Sequence, residues 1–173
     1  AVRVGHALAD TLTSGRHAGV RSRRRPETRL PPPPQNLAMP AATLLLLRDA
    51  PLEVLMVRRS RALVFGANHW VFPGGRVDAA DEAAAAAAVV AGLPDGAARL
   101  AALRELAEEA GIRLAPQAAP GLVPLARWIP TQRLARRFDT QFYLAAAPAG
   151  CTPVPDGEEA VEARFWSPQE AMA

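Results

Sequence analysis

Beyond residue 37 the chain alternates short apolar runs with stretches of helical period, and in chain order the two patterns predict a mixed α/β domain. Residues 42–48 (Ala-Thr-Leu-Leu-Leu-Leu-Arg) form a continuous apolar run, the signature of a buried central strand. Asp49-Ala50-Pro51 makes a turn, and residues 52–59 read as the hairpin partner. A loop over 60–68 leads into a short strand, His69-Trp70-Val71-Phe72, which runs into Pro73-Gly74-Gly75. Asp81 and Glu82 suit a helix N-terminus, and the alanine-rich residues 83–91 are strongly helix-prone. Gly92-Leu93-Pro94 breaks that helix, and Asp95 is predicted to N-cap a second one that ends at Gly111. After a Pro- and Gly-marked loop at 115–121, strands are predicted at 122–129, 136–144 and 161–166, with a turn-rich loop at 146–157. Ser167-Pro168-Gln169-Glu170 is a capping box with proline at the first helical position. The chain stops three residues later, so a truncated C-terminal helix is expected.

The second helix carries the chemistry. At about 100° per residue, Leu100, Leu103, Ala107 and Ala110 fall within an arc of roughly 80°. Glu105, Glu108 and Glu109 fall within about 100° on nearly the opposite side. Like charges at this spacing destabilise a helix, and the macrodipole disfavours anions near its C-terminus. A bound cation relieves both penalties, and hard divalent metals take carboxylate oxygens together with substrate phosphates. The alternative is a solvated acidic face. Two features favour the cation: Gly111 sets the carboxylates in a last turn beside a loop, and the glycines of Phe72-Pro73-Gly74-Gly75 allow backbone to approach a ligand closely.

A glycine pair followed by Arg104-Glu105-Leu106-Ala107-Glu108-Glu109-Ala110-Gly111-Ile112 resembles the box of the Nudix hydrolases. That box reads G, five residues, E, seven residues, then REUXEEXGU with U a bulky aliphatic. Its second half matches at every defined position. Counted from Gly75, the first box glutamate falls on Asp81, with Glu82 next, and Arg104 comes 15 residues later than in an uninterrupted box. The split box, with a Trp128-containing turn and the Arg136-Arg137-Phe138-Asp139-Thr140 strand after it, is similar to the subfamily that includes the peroxisomal coenzyme A diphosphatases. The resemblance covers about residues 40–170. It implies an α/β (α+β) Nudix fold, a mixed β-sheet sandwiched between α-helices, with the domain at 38–173 and a helical insertion at about 79–94. The insertion reads as structural padding, with a lid or specificity element as the alternative.

Composition adds compartment and charge. All 20 basic residues are arginine and alanine is abundant, which fits a high-GC bacterial source. Residues 1–37 hold seven arginines against Asp10 and Glu27, whereas the remainder holds 13 arginines against 15 acids. The pI of about 10.3 therefore belongs to the tail. That tail, with Arg21-Ser22-Arg23-Arg24-Arg25 and Pro31-Pro32-Pro33-Pro34, reads as disordered, resembling a transit peptide in composition or serving as a weak, non-specific phosphate or RNA contact. His6 and His17 sit there without ligand-like partners, and His69 reads as a strand-end packing residue rather than a ligand. No apolar run is long enough for a membrane span. The single Cys151 rules out an internal disulfide, so a cytoplasmic location is expected.

The resemblance implies hydrolysis, by water at phosphorus, of a nucleoside diphosphate linked to another moiety. A small-molecule diphosphate is thus the expected partner, coenzyme A or acyl-CoA by the split box, with nucleotide sugars, ADP-ribose and nicotinamide dinucleotides open. Mg²⁺ (or Mn²⁺) would be the cofactor, with Glu105, Glu108, Glu109 and the Gly74 carbonyl as ligands. Arg104 would orient the glutamates. One glutamate, inside the box or outside it, would take the water's proton, and the sequence does not choose; nor does spacing select among Glu158, Glu159 and Glu162 as an extra ligand. Arg58 and Arg59 (with Arg61 beside them), Gly75 and Arg137 are the expected substrate contacts, the arginines suiting phosphate or forming a solvated strand end. A homodimer is a further expectation. The competing reading is a catalytically inactive Nudix-like module that binds a nucleotide or RNA; the intact glutamate trio argues against it.

Overall fold

The computed structural model of the chain describes residues 38–63, 66–87, 89–131 and 137–172. The arginine-rich tail and Arg136 lie outside the described residues. Among the described residues, seven strands form one mixed sheet: β1 (Met39–Arg48), β2 (Glu53–Arg59), β3 (Trp70–Val71), β4 (Gly74–Arg76), β5 (Val123–Trp128), β6 (Phe138–Ala146) and β7 (Ala160–Trp166). The order is β3-β2-β1-β6-β5, with β4 also pairing β1 and β7 also pairing β2. β1 and β6 run parallel, with Leu44 opposite Tyr143. The β1–β2 hairpin is in register through Leu47–Val54 and Arg48–Glu53. The helices are α1 (Ala79–Ala87), α2 (Gly96–Ala110) and α3 (Pro168–Ala171), with a 3₁₀ segment at Pro116–Gly121 where a plain loop was expected.

The apolar run of β1 conceals an alternation. Ala42, Leu44 and Leu46 are fully buried, while Thr43, Leu45 and Leu47 are half-buried. One face of β1 therefore meets the core, as the period of two requires. There it packs with Leu55, Val57 and Tyr143 against Ala101, Ala102, Leu106 and Ala110 of α2. Burying each large aliphatic side chain in that layer stabilises the fold by about 1.5–3 kcal/mol.

α2 differs from its helical-wheel reading. Leu103 and Ala110 are buried, but Leu100 and Ala107 are only partly so, and the fully buried stripe runs through Ala101, Ala102 and Leu106. Glu105 and Glu109 lie inside that stripe, and only Glu108 is exposed. The wheel assigned the carboxylates to the side away from the core, whereas the helix is covered on more than one side by β1, β4 and the 3₁₀ segment.

Asp95 occupies the N-cap position, but its side chain makes no cap hydrogen bond. It accepts instead from Arg99 Nε at 2.9 Å and from the Tyr143 hydroxyl at 3.0 Å. Arg99, itself buried, donates onward to the carbonyls of Ala119 (3.0 Å) and Leu122 (2.7 Å). A buried guanidinium needs an anion and several acceptors, so tertiary pairing overrides the local capping preference. Burial alone would raise the Asp95 carboxyl's pKa, but the Arg99 and Tyr143 hydrogen bonds outweigh it and the net shift is downward.

α1 begins at Ala79 and carries Asp81 and Glu82 in its first turn, as expected. There the Asp81 carboxylate accepts the Asp78 backbone N–H at 2.9 Å. At the other end of α2, Gly111 adopts the left-handed conformation (φ 67°) and its N–H closes on Ala107 O, as expected of a C′ glycine. The Ser167 capping box is formed in full. None of the described helices is long and apolar enough to cross a membrane.

Candidate active site

The site lies where the C-terminal half of α2 meets the Gly74-Gly75 segment of β4, which β1 holds through Thr43–Gly74 and Ala42–Gly75 pairs. Neither glycine could carry a side chain without something moving: strand backbone at Gly74, the Glu105 carboxylate at Gly75. A Cβ on Gly74 would lie 2.5 Å from the Ala42 carbonyl oxygen, and one on Gly75 would lie 2.2 Å from Glu105 Oε1. With neither side chain present, the helix settles its carboxylates directly against strand backbone. Glu109 Oε2 accepts the Gly74 N–H at 3.0 Å, and Glu109 Oε1 stands 3.6 Å from Arg59 Nη1.

Arg104 is the hub of the second layer. Its Nη1 donates to Glu105 Oε1 and to Glu108 Oε2, each at 2.8 Å. Its Nη2 donates to the Arg76 carbonyl at 2.8 Å and to Asp81 Oδ2 at 3.0 Å, and Nε reaches Asp81 Oδ1 at 3.2 Å. One guanidinium thus ties α1, β4 and two glutamates of α2 together. Arg104 therefore touches two of the three glutamates, Glu105 and Glu108, that it was expected to orient.

These groups open on a cleft of about 920 Å³ that Asp156, Glu158 and Glu159 and the strand residues Thr43, Phe138 and Thr140 also line. Asp156 caps its own loop by accepting the backbone N–H groups of Glu158 (3.1 Å), Glu159 (3.3 Å) and Ala160 (2.8 Å), which holds the two glutamates at the rim. The carboxylates outnumber the cations. Burial, opposed by the Gly74 N–H and reinforced by the charges of Glu105 and Glu159, pushes the Glu109 carboxyl up to about 7. Burial also raises Glu105, against the pull of Arg104. Among the described residues, no three acidic, His or Cys side chains stand close enough together to form a ready-made metal cage. The donors fit a divalent cation in kind: hard oxygens, an excess of negative charge, and backbone alongside.

A model of the NUDIX domain matches residues 38–173. The chain belongs to the Nudix domain family. It is 36% identical over 105 residues to the m7GpppN-mRNA hydrolase NUDT17 of Bos taurus, a match that covers 61% of this chain and 29% of that protein. With the human NUDT17 the identity is 35% over 95 residues, 55% of this chain and 24% of that protein, so the chain spans under a third of the length of either relative. Among solved structures, a NUDIX hydrolase from Alicyclobacillus acidocaldarius superposes with a TM-score of 0.64 at 27% identity, covering 76% of this chain and 79% of the other. The NUDIX domain of Shewanella oneidensis NrtR, crystallised with ADP ribose, gives 0.58 at 18% identity, with 79% and 77% covered; at that identity it supports the fold alone.

Within the Nudix box the structure answers the question raised by Asp81. Despite the insertion, this aspartate is buried and pairs with Arg104 in the position counted from Gly75. Glu105, Glu108, Glu109, Arg104, Gly74, Gly75 and Arg59 all border the cleft. Arg58 does not. Alternation along β2 turns it to the other side of the sheet, where it pairs with Glu162 of β7 and donates to Asn68 Oδ1 at 3.1 Å. That pairing also takes Glu162 away from the cleft. Arg137 donates its Nε–H to the Pro130 carbonyl at 3.1 Å, and its neighbour Phe138 reaches the cleft in its place. Arg61 joins Asn68 at 3.4 Å, and His69 bonds the Ala67 carbonyl, a strand-end role. Sequence reasoning missed Asp156; the Asp-Gly-Glu-Glu turn before β7 was the signal for it, because an Asp there bonds backbone a few residues on.

Proposed function

We propose that this Nudix domain is a diphosphohydrolase that cleaves a nucleoside diphosphate linked to another moiety. Mg²⁺ or Mn²⁺ would be held by Glu105, Glu108 and Glu109, with the Gly74 carbonyl as a further ligand. The observation that carries the reading is that Glu105 and Glu109 of α2 lie against the Gly74-Gly75 backbone while Glu108 borders the same cleft. Two of those carboxylates are buried with less countercharge than they need. A bound divalent cation offsets the substrate's negative charge and acidifies a water ligand.

The chain's own residues divide the remaining work. Arg104, fixed by Asp81 and the Arg76 carbonyl, holds Glu105 and Glu108 in place and makes no substrate contact. Arg59 lines the cleft and presents a guanidinium toward a phosphate. The proton of the attacking water passes to a carboxylate on the cleft wall. Glu158 and Glu159, which line the same cleft, are the candidates from outside the box.

For the substrate, the interrupted box favours coenzyme A or acyl-CoA, cut to 3′,5′-ADP and a phosphopantetheine product. Capped mRNA enters the panel because the curated relatives are named as m7GpppN-mRNA hydrolases. ADP-ribose and NADH complete it. With Mg²⁺ present and products read by mass, at least one of these is cleaved, chelation stops the reaction, and Glu109→Gln abolishes it. Tight nucleotide or RNA binding that survives Glu109→Gln, with turnover of nothing in the panel, would instead establish the inactive binding module.

A further inference from the structure

β5 is the edge strand of the sheet, and its last residue, Trp128, is 63% exposed. An indole left in water is unusual for a side chain whose ring normally finds cover. Its register explains where it faces. Trp128 stands directly opposite Thr140 of β6, so the two side chains share a face of the sheet. Thr140 lines the cleft, as does Phe138 two residues before it. One residue earlier in β5, Arg127 clamps Asp139 through Nε–Oδ1 (2.7 Å) and Nη2–Oδ2 (2.5 Å). Strand alternation puts that clamp on the opposite face, so it anchors the end of β5 while Trp128, outside the cleft lining itself, keeps the face of Thr140.

We propose that Trp128 is a stacking platform for the planar heterocyclic base of the substrate, set at the cleft edge away from the glutamates. The proposal rests on the diphosphohydrolase reading of that cleft and adds a residue that selects for a base. The glutamates, Gly74 and Arg59 address only the diphosphate, and every nucleoside substrate leaves a flat π-face to be covered. Stacking on an aromatic side chain contributes roughly 1–3 kcal/mol per base, about 5- to 150-fold in affinity.

The test is binding to the whole chain with Mg²⁺ present, using ADP as the probe that carries a base and methylenediphosphonate as the probe that lacks one. Trp128→Ala is expected to weaken ADP by roughly 5- to 150-fold and to leave methylenediphosphonate unchanged, with Trp128→Phe restoring most of the loss. Trp128→Leu, apolar but without a π-face, stands in if the alanine variant loses its thermal unfolding transition. Unchanged ADP affinity in Trp128→Ala overturns the proposal, as does an equal loss of both probes. An oligomer that dissociates on substitution while ADP affinity holds also overturns it, and assigns the indole to contact with a second copy. Failure of the wild type to bind either probe refutes the diphosphohydrolase reading itself, and the platform with it.

Discussion

Glu109→Gln is expected to stabilise the metal-free protein above neutral pH while abolishing its chemistry. The Glu109 side chain is 3% exposed, and its carboxyl pKa is pushed from 4.5 up to about 7. Between those values the native state holds a proton that the unfolded chain has released, so stability falls as pH rises through the interval. Glu109's favourable contribution is thus complete below about pH 4.5 and gone above about pH 7. A shift from 4.5 to about 7 corresponds to about 3 kcal/mol at most. Glutamine is nearly isosteric, and its amide oxygen can still accept the Gly74 N–H. Losing the 3.6 Å contact with Arg59 offsets part of the gain. The expected net is about 1–2 kcal/mol in favour of the variant at pH 8, or roughly 2–8 °C in thermal midpoint for a domain of this size, and near parity at pH 5. The assay is thermal unfolding of both proteins in chelator from pH 5 to 8.5. Mg²⁺ should then raise the wild-type midpoint and have little effect on the variant. Parallel pH profiles for the two proteins would refute the claim that buried ionised Glu109 strains the metal-free fold.

Four further substitutions separate folding from chemistry. Gly75→Ala meets only the movable Glu105 carboxylate, so it should cost more than tenfold in kcat with little change in midpoint, whereas Gly74→Ala meets the Ala42 backbone and should lower the midpoint by several degrees; kinetics and calorimetry of the pair check this. Asp81→Ala frees Arg104 from α1, and a loss of roughly 10- to 100-fold in metal affinity, read by Mn²⁺ titration, is expected because supporting residues orient metal ligands. Arg99→Met leaves the half-buried Asp95 carboxylate with Tyr143 alone and the Ala119 and Leu122 carbonyls without their donor, and chemical denaturation should show a loss of about 1–3 kcal/mol with no direct effect on the cleft.

The strand order of events along the chain was readable because β1, β2 and β7 have strong apolar character and the breaks carry Gly and Pro. Glu105, Glu108 and Glu109 were readable because their spacing on one helix survives any tertiary context. Side-chain direction was not. Val54, Met56, Leu55 and Val57 are all apolar, so the pattern of β2 cannot say which of Arg58 and Arg59 faces the glutamates; the fold gives Arg59 to Glu109 and Arg58 to Glu162. Asp95 looked like a cap because Asp favours that position locally, but Arg99 lies one turn on and Tyr143 is 48 residues away. Asp81 was legible by counting from Gly75, yet a 15-residue insertion between it and Arg104 left their contact undecided until α1 was seen to lie against α2. Burial of the carboxylate face was likewise hidden, since it depends on two glycines 30 residues upstream admitting the helix.

Turnover of the preferred diphosphate in ¹⁸O-enriched water is the most direct test that the glutamate cleft performs hydrolysis at phosphorus. The wild type with Mg²⁺ should yield one phosphate-bearing product carrying a single ¹⁸O, and neither chelated wild type nor Glu109→Gln should yield any. Cleavage without label on phosphorus, or labelled product formed equally well by Glu109→Gln, would show that the reaction belongs elsewhere on the molecule.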